Sequence, residues 1–181
     1  MGFPKSKKIK DILIICEGEE EFDYLSRLKS LNVFSKNFKL ENAKSISNLS
    51  SKYNYHKEIN DYKRIYVICD ADDEPHKALK KALREIDRKN VFWINPCSLQ
   101  LQILHFSSEL IKNAEKSKNE KIINKVFDIK DYRATKEQRD KINNRINAEN
   151  FNIMMQRLKK LSKNINDIPS TNILELFEKL L

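Results

Sequence analysis

Four short apolar runs alternate along the first half of the chain with segments in which apolar residues recur at helical spacing. The runs cover residues 12–16, 38–40, 65–69 and 91–94. Three of them are continuous and rich in β-branched or aromatic residues, which is typical of parallel strands buried on both faces. Helical stripes start near Phe22, Ile46 and Ala78. The order βαβαβαβ therefore predicts an α/β fold, with a four-stranded, mainly parallel sheet flanked by helices.

After Pro96 the pattern predicts helices only. Apolar stripes cover residues 99–106, 151–161 and 173–181, and the last helix is predicted to open near Ser170 or Thr171, directly after Pro169. We therefore expect a basic N-terminal tail at residues 1–10 and an α/β domain at 11–106. An all-helical C-terminal part at 107–181 would pack on the same domain or extend it.

Composition narrows the classes of partner. The 181 residues include 35 Lys and Arg against 26 Asp and Glu, a net charge of +9. This surplus favours a polyanionic partner, with nucleic acid first, although a Lys- and Asn-rich proteome produces the same surplus without any function. No apolar run approaches the ~18 residues of a membrane span. Three cysteines without a C-x-x-C pair indicate reduced thiols and a cytoplasmic protein. With two glycines in all, neither a P-loop nor a G-x-G-x-x-G motif is present.

Acidic residues follow two of the strong strands. Glu17 comes directly after the first, and Asp70-Ala71-Asp72-Asp73 follows the third predicted strand. Ligands of open parallel sheets bind at the carboxyl ends of the strands, where these acids would meet. Neighbouring carboxylates repel unless they share a cation, and hard oxygen ligands suit Mg²⁺ or Mn²⁺. Alternation along an extended chain favours Glu17, Asp70 and Asp72 as ligands, with Asp73 in support. Alternatively, Asp72 or Asp73 caps the following helix and Glu17 has no role.

Other polar residues fall near this edge or in basic clusters. Asn95 follows the fourth strand and would orient water or phosphate, or cap the next helix. His105 would serve as a general acid or phosphate ligand, but its apolar neighbours favour a histidine packed on a helix. Four basic residues are candidates for nucleic-acid contact, with a solvated helix face as the alternative in each case. They are Lys77, Lys81, Arg133 and Lys136.

Several motifs together resemble the RloB/AbiLii-like family of Toprim-domain proteins over nearly the whole chain. Toprim domains occur in topoisomerases, primases and OLD-type nucleases. The resemblance implies a Toprim-like (Rossmannoid) fold and a Mg²⁺-dependent endonuclease acting on DNA or RNA. It implies Glu17, Asp70 and Asp72 as catalytic and metal-binding residues, with Glu19 in support. It also implies a role in phage defence beside a partner ATPase. The motifs are Cys16-Glu-Gly-Glu19, Cys69-Asp-Ala-Asp-Asp73, Asn95-Pro-Cys97, Leu104-His-Phe106 and Pro169-Ser-Thr171.

One departure from the family pattern weakens the expectation of catalysis. The family typically has an acidic residue soon after its Asn-Pro, followed by a tryptophan, whereas Leu99 and Leu101 stand at those positions here. A catalytically degenerate regulatory or nucleic-acid-binding subunit is therefore a second hypothesis, and phosphoryl transfer to a smaller substrate is a third. The choice between DNA and RNA, the number of metal ions and the formation of a homo-oligomer stay open.

Overall fold

The computed structural model describes residues 10–71, 76–113 and 115–181. Within these ranges the strands are β1 (Lys10–Cys16), β2 (Lys39–Asn42), β3 (Tyr62–Asp70), β4 (Val91–Asn95) and β5 (Ser170–Thr171). The α-helices are α1 (Glu19–Ser30), α2 (Ile46–Glu58), α3 (Lys77–Glu85), α4 (Leu99–Phe106), α5 (Glu120–Phe127), α6 (Lys136–Asn143), α7 (Ala148–Leu158) and α8 (Ile173–Leu180). Short 3-10 turns precede β4 and α5.

The strands form one sheet in the order β2-β1-β3-β4-β5. The first four strands are parallel, and β5 runs antiparallel to β4. From β1 the chain goes to β2 on one side and then crosses back to β3 on the other. The gap between β1 and β3 is therefore the topological switch point, where open parallel sheets bind their ligands.

Alternate residues of the central strands pack into two apolar cores, one on each face of the sheet. Ile12, Ile14 and Cys16 of β1 face a core built with α1, α4, α7 and α8. Leu13 and Ile15 face a second core built with α2 and α3. Burial on both faces explains why these strands read as continuous apolar runs. A third cluster joins α4 to α5 and α6.

The C-terminal part differs from the all-helical prediction, and the sheet has five strands instead of four. Residues Ser170 and Thr171, where a helix was predicted to open, form β5, and α8 begins only at Ile173. Side chains hold this segment on the edge of β4. Thr171 Oγ1 donates to the Trp93 carbonyl at 2.6 Å, and Asn172 Oδ1 accepts from the Trp93 amide at 2.7 Å. These bonds satisfy an edge that would otherwise present unpaired backbone groups.

Across the parts of the chain that the structure describes, every helix is too short or too polar to cross a lipid bilayer.

Candidate functional site

Two of the predicted acids meet at the switch point. Glu17 directly follows β1, and Asp70 is the last residue of the neighbouring strand β3. The backbone amide of Asp70 donates to Glu17 Oε2 at 3.1 Å, and the Glu17 amide donates to the Ile68 carbonyl at 2.9 Å. Both side chains are half-buried. The sequence prediction that Glu17 and Asp70 lie together at this edge is borne out by this contact.

The Asp70 carboxylate is oriented by the backbone immediately before α4. Its Oδ1 accepts a hydrogen bond from the Ser98 amide at 2.9 Å. Ser98 lies immediately before α4, where amide groups lack partners within the helix and favour negative charge. One oxygen of Asp70 is thereby oriented by the backbone and does not depend on a flexible side chain.

A third carboxyl group, Glu21, belongs to the same unit and was missed as a site residue by the sequence analysis. Glu21 lies on α1 and is only 5% exposed. Its Oε2 accepts from the Gly18 amide at 2.9 Å. The absence of a side chain at Gly18 allows this approach, since a Cβ there would lie 3.2 Å from the same oxygen.

Burial raises the pKa of the Glu21 carboxyl above its ordinary value. The Ser98 hydroxyl and the amides of Gly18 and Glu21 act in the opposite direction, while the charge of Glu20 adds to the rise. The Ser98 hydroxyl is fully buried and lies close enough to influence Glu21, although the contact lacks the geometry of a regular hydrogen bond. Glu17, Asp70 and Glu21 are thus joined through Gly18 and Ser98 into one acidic unit.

The donor set suits a hard divalent cation, because carboxylate oxygens are the ligands that Mg²⁺ and Mn²⁺ prefer. Over residues 10–71, 76–113 and 115–181, no three His, Cys, Asp or Glu side chains are grouped closely enough to hold a metal ion by themselves. The predicted third ligand Asp72 and its neighbour Asp73 lie outside these ranges.

Glu19, which was predicted to support the metal, is bound to a basic side chain. Its side chain is 66% exposed, and its Oε2 accepts from Arg139 Nη2 of α6 at 2.5 Å. Arg139 also donates to Asp23 Oδ2 at 2.8 Å. The ion pairs therefore connect the first turns of α1, which carries Glu21 of the acidic unit, to α6.

Asn95 is buried at the carboxyl end of β4, as predicted, but its amide does not cap the following helix. Its Nδ2 donates to the carbonyls of Ile165 and Asp167, at 2.7 and 3.2 Å. Asn95 thereby holds the loop that leads into β5 against the sheet.

His105 is packed inside the protein at 2% exposure. Its Nε2 lies 2.9 Å from the Tyr24 hydroxyl, and its Nδ1 lies 2.9 Å from Asn150 Oδ1. Because an amide oxygen only accepts, the neutral tautomer carries its proton on Nδ1, and Tyr24 donates to Nε2. The alternative of a packed histidine is therefore the one that the structure supports.

The four basic residues predicted to contact nucleic acid come from two parts of the chain, Lys77 and Lys81 from α3, and Arg133 and Lys136 from α6 and the segment before it. Lys136 is bound to Asp140 and lies 3.8 Å from Asp23. Lys81 and Arg133 are exposed, and nothing is described of the Lys77 side chain. Their contact with nucleic acid stays a prediction.

The described geometry defines an α/β protein with carboxylates on both sides of the switch point of a mainly parallel sheet. The family model for RloB-like proteins matches residues 12–180. The chain therefore belongs to the RloB-like family. Comparison with curated proteins and with solved structures gave no match.

The environment of His105 leads to a prediction about stability and pH. Burial, with a contribution from Arg157, lowers the His105 pKa from 6.5 to about 4. The unfolded chain therefore binds more protons than the folded one between these values, and stability is lost as pH falls. We expect about 2 kcal/mol of unfolding free energy to be lost between pH 7.5 and pH 5.

Urea denaturation at both pH values measures this loss, and the His105→Gln variant is the control because glutamine stays neutral. Subtracting the variant's pH-dependent change in unfolding free energy from that of wild type removes the contribution of the other titrating groups. Equal pH dependence in the two proteins would contradict a buried, neutral His105.

Proposed function

We propose that this protein is a Mg²⁺- or Mn²⁺-dependent nuclease whose active centre includes Glu17 and Asp70. The observation that supports the proposal most directly is the hydrogen bond from the Asp70 amide to Glu17 Oε2, at the switch point of the sheet. This contact joins a carboxylate oxygen of Glu17 to the backbone of Asp70, 53 positions later in the sequence, so that both acidic residues lie at the carboxyl ends of neighbouring strands.

In this proposal Glu17, Asp70 and Asp72 would hold the cation. When bound, such a cation stabilises the negative charge that develops on a phosphodiester during cleavage. Ser98 orients one oxygen of Asp70 through its amide. Glu21 binds the amide of Gly18 and so fixes the backbone that carries Glu17. The buried Glu21 is a positioning group here, while Glu17 and Asp70 lie at the carboxyl ends of β1 and β3, where the substrate would bind.

The function in phage defence with a partner ATPase belongs to the same proposal. It rests on the family resemblance and on the basic character of the chain, which suits a nucleic-acid substrate.

A second candidate function is a nucleic-acid-binding or regulatory subunit with a degenerate site. Leu99, which stands where the resemblance places an acid, is 1% exposed and packs with Cys97 and Ile103 in the third apolar cluster. The position therefore contributes to the core and supplies no charge. This observation favours a site without turnover.

Incubation of the purified protein with supercoiled DNA and with single-stranded RNA separates the two functions. A nuclease is expected to nick or cut one of these substrates with Mg²⁺ or Mn²⁺ and to stop in EDTA. Cleavage that continues unchanged in EDTA would contradict the proposal. A protein that retains nucleic acid, shows no cation-dependent thermal shift and never cleaves would be the regulatory subunit. Hydrolysis of nucleotides alone would indicate phosphoryl transfer to a small substrate.

A further inference from the structure

A set of surface cavities lined by Lys and Arg side chains lies at the amino-terminal ends of the strands, away from the carboxyl ends that carry Glu17 and Asp70. Four cavities of about 290 to 550 Å³ lie there, around the first residues of β1 and β3, the turn before β4 and the loop before β2. Nine Lys and Arg side chains line them, against two acidic ones, a surplus of seven. The whole chain has a net charge of +9.

These cavities form one continuous groove. Each shares lining residues with the next: Asn37 joins the cavities beside β2 and β1, and Arg64 joins those of β1 and β3. We call this surface the basic groove. It passes the amino-terminal ends of β2, β1 and β3 and reaches the turn before β4. It is therefore roughly 15 Å long, since neighbouring strands lie about 4.8 Å apart. One strand of duplex DNA carries about four phosphates over that length.

Several cations of the groove have no acidic partner among the described residues. Lys39 at the start of β2, Lys57 near the end of α2 and Arg64 in β3 are exposed and form no ion pair in the described ranges. By comparison, Arg139 and Lys136 beside the acidic unit are bound to carboxylates. A lysine in the last turn of a helix can stabilise the helix dipole without binding a ligand. Lys39 and Arg64 lie on strands, so the helix dipole does not explain why a cation stands at these two positions.

We infer that the basic groove binds the phosphodiester backbone of a nucleic acid, at a surface separate from Glu17 and Asp70. A continuous groove fits a chain-like polyanion better than a compact nucleotide. Its Lys and Arg side chains can bind phosphates without a metal ion. Arg64 lies six residues before Asp70 on β3, and Lys39 is level with Ile65, so these cations lie roughly 17 to 20 Å from Asp70 along the strands. The groove therefore retains nucleic acid without presenting the bound segment to the acidic unit. The inference extends the proposed function but does not need cleavage to occur.

Fluorescence anisotropy with labelled DNA and RNA oligonucleotides in EDTA tests the groove without any contribution from a divalent cation. The groove variant is Lys39→Gln/Lys57→Gln/Arg64→Gln. The control variant, Lys121→Gln/Lys130→Gln/Lys160→Gln, loses the same charge from exposed positions outside the groove. We expect the groove variant to bind at least tenfold more weakly and its log–log salt slope to fall by about 2 to 3, because each lost phosphate contact removes about 0.9 for duplex DNA.

The control variant is expected to stay within about threefold of wild type, and Asp70→Asn to bind as well as wild type. Equal weakening of the groove and control variants would overturn the inference, since binding would then follow overall charge alone. Loss of binding in Asp70→Asn would also overturn it by placing attachment at the acidic edge. A groove variant that binds oligonucleotides normally but no longer binds anionic phosphatidylserine vesicles would assign the groove to a membrane surface instead.

The result is independent of turnover. Weak binding by the groove variant, together with no cleavage by any form, would leave the groove assigned and remove the nuclease. Cleavage by the wild type, together with unaltered binding by the groove variant, would support the nuclease and remove the assignment of the groove.

Discussion

Replacing Asp70 by asparagine is expected to lower Mg²⁺-dependent cleavage by about a thousandfold or more, which corresponds to roughly 4 kcal/mol of lost transition-state stabilisation. Asp70 Oδ1 accepts a hydrogen bond from the Ser98 amide at 2.9 Å, and asparagine keeps an oxygen that accepts the same bond. It removes the negative charge that would hold a cation. The rate of plasmid nicking under single-turnover conditions is the measurement.

The loss must not come from unfolding. Removal of one of several neighbouring carboxylates relieves repulsion, so the melting temperature of Asp70→Asn should equal or exceed that of wild type. Asp128→Asn is the matched control: Asp128 is exposed and ends α5 in a left-handed conformation that asparagine adopts readily. Full activity in Asp70→Asn would exclude this carboxylate from the reaction.

The Arg139→Ala substitution is expected to lower the free energy of unfolding by about 3 kcal/mol. The Arg139 side chain is 8% exposed and connects Asp23 and Glu19 of α1 to the Ala134 carbonyl at the start of α6. Its removal leaves Asp23, which is 18% exposed, without its main partner. Breaking a buried ion pair from one side costs more than the pair contributes, because a charge stays buried alone.

Urea denaturation compares this variant with Lys136→Ala, which removes a cation 3.8 Å from the same Asp23 carboxylate. The Lys136 side chain is 64% exposed, so its loss should change the free energy of unfolding by less than about 1 kcal/mol. Equal losses in the two variants would show that Arg139 acts only as a surface charge.

The sheet could be predicted where a strand is long and buried on both faces. The runs at β1, β3 and β4 are continuous and apolar because helices cover both sides of them. β5 escaped prediction because it has two residues, both polar. Its place on the edge of β4 depends on the side chains of Thr171 and Asn172, and hydrophobic periodicity does not register such bonds.

The site could be predicted in part because two of its acidic residues follow such long, buried strands. Glu17 and Asp70 follow strong strands, and the parallel topology alone brings strand ends together. Glu21 was hidden in a run of three glutamates, which suggested only favourable charge in the first turn of a helix. Its spacing from Leu25 and Leu28, four and seven positions on, places it on the buried stripe of α1. That spacing was the available indication.

The partner of Glu19 could not be predicted. Arg139 lies 120 positions away, in a helix without a clear apolar stripe, and no local pattern connects the two. The basic groove was hidden for a similar reason, because its cations come from strands, helix ends and loops that meet only in the folded chain.

The central claim is that Glu17 and Asp70 form a cation site at the switch point of the sheet. Anomalous diffraction from a crystal soaked in Mn²⁺ tests it most directly. The account predicts a peak at the carboxyl ends of β1 and β3, with oxygens of Glu17 and Asp70 at about 2.1 Å from the ion and Asp72 completing the set. A soaked crystal with these side chains ordered and no peak between them would contradict it.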